Sequence, residues 1–455
     1  MVPHRAFEAQ GEWWLPGREG RRVAGVLRFD PDAGSELRLI GTFRGMDEEG
    51  ERTERRGAVV TITYSRDSLE NAGTYPRILG RAGGNSYTLE DCVRKSVRRS
   101  LTGGGGTETV NVNQIYRGAN FGDSELPTAN SVSVDLRYLT QWIGRPAIKE
   151  SYTFLSESNP DLKAIDLKVV PLDDQTALLA DGTLRLTHSI RVSGDRITGR
   201  SLAQKFYFRI DSTRVAGTQD LLERISDLQD LVSIATGRTA EIDGLRYWNS
   251  ALANHERDDN AHPRPVEFFA KWNNRDTSKT PGSMRLQDIY FTFEQFGGVE
   301  GVARWLDQVE RYRSALGRVV SSRYAPSMFT SDRLLSYAAA LEFLDRVNHT
   351  SGVFAQRMAR CATLAGSPFL ALIGGDVQRW IKAVKDHRND IAHHGGTHVK
   401  QSNSAQFFLA RSLYWVFVLC ILREARAPEA VFQQITKHDA FNGLGPRLRA
   451  TLPPL

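Results

Sequence analysis

Arg388 and His393 stand with four residues between them in the segment Asp386-His387-Arg388-Asn389-Asp390-Ile391-Ala392-His393-His394-Gly395-Gly396. Arginine is a permanent cation whose planar fork matches a phosphate. Histidine titrates near neutrality and moves protons. Together they could cut RNA without a metal. The histidine takes the proton of a ribose 2′-OH, or returns one to the departing 5′-oxygen. The arginine holds the phosphate as its charge grows. The products would be a 2′,3′-cyclic phosphate and a 5′-OH end. Asn389 and Asp390 add polar groups that can orient the pair.

The spacing by itself is common. Arg257 and His262 repeat it in a polar stretch followed by Pro263 and Pro265. No apolar helical pattern surrounds that copy, and it reads as a solvated loop. Around Arg388 the context differs. Trp380, Ile381, Val384 and Ile391 form a helical stripe, and Gly395 and Gly396 stop the helix. Arg388 and His393 would then sit at the open end of a packed, rigid support. A helix C-terminus decorated with basic residues to suit its dipole would look the same, so spacing and context leave both readings open.

The elements that must position this pair follow from the rest of the chain. At 455 residues, 40% hydrophobic and 25% charged, it has room for two or three domains of ~150 residues. A net charge of +6 permits a local basic surface without proving nucleic-acid binding. Cys92, Cys361 and Cys420 form no CxxC pair. A cysteine zinc site or disulfide scaffold is therefore not expected, and a reducing, cytoplasmic setting fits best. The N-terminal residues have no apolar core, so no signal peptide is expected. Phe407 to Leu422 is the most apolar stretch. Interrupted by Arg411 and short of the ~20 residues of a membrane span, it reads as a buried or interface helix. Its aromatics, Phe407, Phe408, Tyr414, Trp415 and Phe417, read as core.

The chain changes character near residue 215. Before it, short β-favouring runs recur at Val23 to Phe29, Glu36 to Phe43, Gly57 to Tyr64, Val110 to Tyr116, Ser131 to Leu139, Ala164 to Val170 and Ser201 to Ile210. They suggest a sandwich or a strongly curved sheet. A helix over Thr218 to Thr236 follows, then polar, irregular connections over 254 to 282. Helices are predicted over Val299 to Arg323, Ser331 to Val347, Val353 to Leu364, Val377 to His393 and Ser404 to Arg426. The fold class is α+β, with a β-rich domain over 1–215 and a helical bundle over 299–455. Residues 216–298 form a helical and irregular connecting region counted with the N-terminal module.

Other groups are weaker candidates. On a helix, Arg94, Lys95, Arg98 and Arg99 would share one side, able to contact an RNA backbone. The alternative is a solvated charged face. Trp13 and Trp14 would point to opposite faces of a strand, one into the core and the other a candidate for recognition. Asp30 and Asp32 lie in a turn without metal-site spacing, and no metal is predicted.

The signature Arg388-Asn389-Asp390-Ile391-Ala392-His393 resembles the Arg-polar-x-x-x-His motif of the HEPN superfamily. More narrowly, the chain is similar to the ApeA-like HEPN proteins of prokaryotic anti-phage defence. Gly11-Glu12-Trp13-Trp14-Leu15-Pro16-Gly17, Val23 to Leu27 and Leu39 to Phe43 look like the start of the ApeA N-terminal domain. The helix Leu334 to Arg346, with Ala340-Leu341-Glu342, looks like the first HEPN helix.

The resemblance implies an RNA-cleaving helical bundle, a homodimer or higher homo-oligomer in which two signatures face each other. Arg388 and His393 carry over directly, and Asn389 carries over as the polar residue after the arginine. Glu342 carries over as the acidic residue of the first helix. It flanks the stripe Leu334, Ala338, Leu341 and Leu344, where a carboxylate wants a cationic partner, and Arg388 is the candidate. An ordinary half-exposed helix glutamate is the alternative. His394 would assist His393 or be an exposed neighbour, and His387 reads as structural or exposed. Implied further are toxic cleavage of RNA, with tRNA a candidate, and a phage-derived trigger sensed by the N-terminal region. No cofactor and no membrane are expected. The competing reading is a non-catalytic dimerisation or nucleotide-binding module.

Overall fold

Burial with period two builds the first part of the chain. In β2 (Val23–Asp30) Val23, Leu27 and Phe29 are buried while Ala24, Arg28 and Asp30 are exposed, the pattern of a strand with one face on a core. The computed structural model describes residues 5–44, 51–56, 59–64, 73–98, 106–122, 126–156, 159–250, 264–271, 284–324, 327–392 and 403–453. His393, His394, Arg99, Arg257 and His262 lie outside the described residues.

By contacts the chain divides into two units that interleave along the sequence. One gathers Met1–Val134, Ser212–Leu221 and Ile242–Asn273; the other gathers Asp135–Asp211, Leu222–Glu241 and Asn274–Leu455.

The first unit contains β1 (Phe7–Trp14), β2, β3 (Gly34–Ile40), β4 (Glu51–Arg56), β5 (Val59–Tyr64), β6 (Thr74–Ala82), β7 (Asn85–Arg98) and β8 (Thr107–Arg117). Six of these pair antiparallel in the cycle β1-β2-β3-β8-β7-β6 and back to β1, so the sheet closes into a barrel. Of the two expected forms, the curved sheet is the one found, and closure removes its edges. β4 and β5 form a separate two-stranded ribbon. Trp13, Leu27, Phe29, Leu37, Ile78, Leu89, Val110 and Ile115 fill the barrel.

Both tryptophans are interior. Trp13 is 0% and Trp14 5% exposed, and the Arg22 guanidinium covers the Trp14 ring at 4.8 Å. Trp14 is therefore not an exposed recognition residue. Asp30 closes the turn after β2, its Oδ1 accepting from the Asp32 and Ala33 amides at 2.8 Å.

Most of β9 (Thr128–Leu136) and β15 (Ile242–Trp248) follow in this unit, with β16 (Val266–Ala270) paired to β8. The stretch 254 to 282 thus contains a strand where irregular chain was expected. Val266, Phe268 and Phe269 bury their side chains, and Phe268 meets Tyr116 at 5.0 Å. The nearby prolines hid this short run.

The second unit holds β10 (Ile148–Ser156), β11 (Asn159–Val169), β12 (Gln175–Leu179), β13 (Gly182–Asp195) and most of β14 (Gly199–Gly217). Its helices begin with α1 (Leu139–Ile143) and most of α2 (Thr218–Thr236), which has the expected bounds. The change of character near residue 215 falls at the junction of β14 and α2.

The expected helix Val299 to Arg323 is two, α3 (Gly298–Val309) and α4 (Arg313–Tyr324). A 3-10 turn over Glu310–Tyr312 separates them, with Tyr312 buried and its hydroxyl 2.6 Å from Glu424. Then come α5 (Thr330–Asn348), α6 (Phe354–Ala365), α7 (Ser367–Ile373), α8 (Val377–Ala392) and α9 (Asn403–Glu424). Three short helices end the chain: α10 (Glu429–Lys437), α11 (Asp439–Asn442) and α12 (Leu444–Thr451).

Helix α9 is the central member, packed against α5, α6 and α12. Its 22 residues are long and apolar enough to cross a membrane, contrary to the expectation from its length. Burial of 83% of its most apolar window inside the protein identifies it as a core helix. Trp415 and Phe417 are fully buried, whereas Phe407 is 41% exposed.

Gly80 lies directly across from Trp13 in the β1–β6 pair, and a Cβ there would overlap the indole. Gly80→Ala is expected to cost about 1–3 kcal/mol by overpacking. Urea unfolding of the two proteins, with a lower midpoint at unchanged m-value, checks this.

Candidate functional site

Two helices bring the sequence candidates together. α8 buries Trp380, Ile381, Ala383, Val384 and His387, and leaves Arg388, Asn389 and Asp390 partly exposed at its described end. Trp380 anchors it, its indole N–H donating to Ser412 Oγ of α9 at 2.9 Å and its ring meeting Phe369 edge-on at 4.9 Å. α5 buries Leu334, Ala338, Leu341 and Leu344 and sets Glu342 on the flank of that stripe.

Arg388 Nη2 donates to Glu342 Oε2 at 3.5 Å. The sequence assigns this pair, and the structure brings it together. Glu342 is 16% exposed and Arg388 37%. So open and long a pair stabilises the fold by under ~1 kcal/mol. Its consequence is orientation: one edge of the fork is held and the rest stays accessible.

A third residue completes the hold. Phe354, the first residue of α6, lies under the guanidinium with its ring centre 4.8 Å from Cζ. Sequence reasoning did not single out Phe354, because nothing in its spacing links it to Arg388. The only signal was its place at a helix start beside an exposed Val353.

What fixes Phe354 is a strong interaction one turn along α5 from Glu342. The Asp345 carboxylate is 1% exposed. It accepts from Arg357 Nη1 at 3.0 Å and from Arg360 Nε at 2.7 Å and Nη2 at 2.6 Å, both arginines on α6. His349 Nδ1 stands 3.3 Å away. Burial alone would raise the Asp345 pKa. The Arg360 hydrogen bond and charge, with His349 and Arg357, outweigh it and hold the carboxyl below its ordinary value.

His387 is structural, buried with its Nδ1 2.9 Å from the Ala383 carbonyl. Its Nε2 and Asp390 Oδ2 are buried without a hydrogen-bond partner among the described residues.

The other basic candidates are not on a helix. Arg94, Lys95 and Arg98 belong to β7. Arg94 turns inward, its side chain 9% exposed, and its Nε donates to the buried Glu108 at 2.7 Å. Tyr75 also donates to Glu108, at 2.5 Å. Lys95 turns outward to Glu36 at 2.8 Å. The shared basic side expected of a helix is therefore not formed: alternation along a strand sends neighbours to opposite faces.

The three cysteines are buried and free. Cys361 and Cys420, distant in sequence, meet where α6 packs on α9, with Cys420 Sγ donating to the Cys361 carbonyl at 3.1 Å.

A closed β-barrel in one unit and, in the other, a helical bundle presenting an Arg–Glu pair define a two-part protein with a HEPN-type C-terminal domain. Residues 8–305 match ApeA N-terminal domain 1, and residues 335–430 match the Apea-like HEPN domain. The chain belongs to the ApeA family and is an ApeA-like HEPN anti-phage protein. Comparison with curated proteins and with solved structures finds no match.

Because the Asp345 pKa is lowered in the folded state, its contribution to stability is present above the unfolded carboxylate value near ~4. It is lost as pH falls through the folded value. Asp345→Asn is expected to cost about 3 kcal/mol at neutral pH. The difference from wild type should begin to shrink on acidification below pH ~4, where the unfolded chain's carboxylate takes up its proton, and disappear only below the lower folded value, where Asp345 itself is protonated. Urea midpoints across pH 3 to 7, as an order-of-magnitude titration window, check both.

Proposed function

We propose that this protein is a metal-independent endoribonuclease of cytoplasmic anti-phage defence, in which Arg388 and His393 cut RNA and Glu342 and Phe354 position the arginine. The observation that carries the reading is the hold on Arg388: a carboxylate on one edge and an aromatic ring beneath leave part of the fork open to a phosphate. The ribose 2′-oxygen attacks the phosphorus, its proton passing to a base, and the 5′-oxygen leaves with a proton from an acid. His393 fills one of these two roles. Arg388 stabilises the charge that builds on the non-bridging oxygens.

Asn389 follows Arg388 and supports phosphate orientation. A homodimer or higher homo-oligomer would place two such signatures together, the second supplying the other proton-transfer group. His394 would assist. The N-terminal region would restrain the activity until a phage-derived trigger appears, since unchecked cleavage of tRNA or other RNA kills the host.

The test uses purified wild type, Arg388→Ala and His393→Ala with total tRNA and other RNA in EDTA. Wild type should cleave, and each variant should lose at least ~100-fold in rate. Equal cleavage by all three would reject the site. RNA or nucleotide binding without cleavage under any condition would make the domain a binding module instead.

Phe354→Leu keeps bulk but removes the ring face. It is expected to slow cleavage by about 2–5-fold, the worth of a partly exposed cation–π contact. Steady-state rates alongside an unchanged unfolding midpoint check this.

A further inference from the structure

Three segments of the second unit converge at the root of the β10–β11 ribbon. The chain leaves for the ribbon after Ala147 and returns at Val170, whose amide donates to the Ala147 carbonyl at 2.8 Å. Gln204 of β14 clamps the outgoing segment. Its Oε1 accepts from the Ala147 amide at 2.6 Å, and its Nε2 donates to the Arg145 carbonyl at 2.9 Å. The returning segment meets β13, the Leu172 amide donating to His188 Nδ1 at 3.4 Å. The His188 ring lies 4.9 Å from that of Phe206, two residues along β14 from Gln204 and so on the same face. Arg145 and His188 are thereby brought to one place, near enough for the arginine's charge to act on the imidazole.

What this place lacks is an acceptor. Arg145 Nη1 and His188 Nε2 are both buried without a hydrogen-bond partner among the described residues. With Nδ1 accepting, the neutral imidazole carries its hydrogen on Nε2, so both orphaned atoms are donors. Burial first, and the Arg145 charge second, hold the His188 pKa below its ordinary value and favour that neutral form. Gln175, opposite Leu186 in the β12–β13 pair, shares the face of His188 and has a buried, unpartnered Oε1. Rotating its amide turns an N–H donor inward instead.

Asp174, the carboxylate that acts on His188, does not serve as the counter-charge. Alternation along the strands turns it to the other face, where it accepts from Thr187 Oγ1 at 3.4 Å and stands 3.9 Å from Arg185. A half-buried cation with no anion is a burden on a fold unless a ligand supplies the anion.

We propose that Arg145 and His188 form a binding site for the phosphate group of a small ligand. The arginine fork matches two phosphate oxygens, and the tetrahedral group offers a third to His188 Nε2. A carboxylate has only two oxygens in one plane, whereas a phosphate can satisfy donors from the loop, from β13 and from β12 together. None of these residues belongs to the Arg388 site, so the inference stands apart from the activity proposed above.

The experiment is calorimetric titration of full-length Arg388→Ala protein, which lacks the other phosphate-attracting arginine. The probes are inorganic phosphate, adenosine monophosphate and acetate at equal ionic strength. Phosphate should bind saturably. Adding Arg145→Gln should weaken it about tenfold or more, the worth of a charge-assisted hydrogen bond. Adding His188→Phe, which keeps a ring on Phe206, should weaken it about fivefold. Tighter binding of adenosine monophosphate than of phosphate identifies a nucleotide as the source, and equal binding identifies the free anion. In phosphate-free buffer Arg145→Gln should unfold at the same urea concentration as its parent or a higher one, because it removes an uncompensated charge. No saturable phosphate binding, or an unchanged affinity in Arg145→Gln, would overturn the proposal. So would acetate binding as tight as phosphate, or a lowered urea midpoint for Arg145→Gln without phosphate, the mark of a purely structural arginine.

Discussion

The Asp345 carboxylate is the constraint on which the candidate site rests. It is buried on α5 and saturated by two arginines of α6. Removing one partner of such a cluster leaves an uncompensated charge in the interior, which costs about 3–5 kcal/mol. The Glu342–Arg388 contact, open to solvent, is worth under ~1 kcal/mol. The strong interaction therefore fixes the packing of α5 against α6 and sets where Phe354 stands. The weak one selects the direction of the Arg388 fork within that frame. An arginine that is to receive a phosphate would need this division: a pair as strong as that at Asp345 would leave it no capacity for one.

How far the sequence leads follows the same physics. The helices α2, α5, α6, α8 and α9 were expected within one or two residues, because a 3.6-residue apolar stripe declares itself locally. Glu342 and Arg388 were paired from their positions on two such stripes. Phe354, Arg357 and Arg360 were not singled out, since their roles exist only once α6 lies on α5. The strand β7 was misread around Arg94 because the charges that suggested a helix face are split by alternation, one into the buried partnership with Glu108 and one into solvent. The strand β16 was hidden by flanking prolines and polar residues, and its pairing with β8 is wholly non-local.

The barrel and the helices answer different demands. Closing six strands removes the edges that would otherwise seek partners. The buried Glu108, held by Arg94 and Tyr75, is a charged residue of this barrel that serves its interior. The β10–β11 ribbon in the other unit departs from this economy. It keeps large apolar side chains in water.

The central claim is that Arg388 works on RNA by 2′-oxygen attack without a metal. Its most direct test is the chemistry of the cut ends. RNA incubated with the purified protein in EDTA should yield 5′-OH and 2′,3′-cyclic phosphate termini, and Arg388→Ala should yield neither. Termini with 3′-OH and 5′-phosphate, or cleavage that appears only when a divalent cation is restored, would contradict the account.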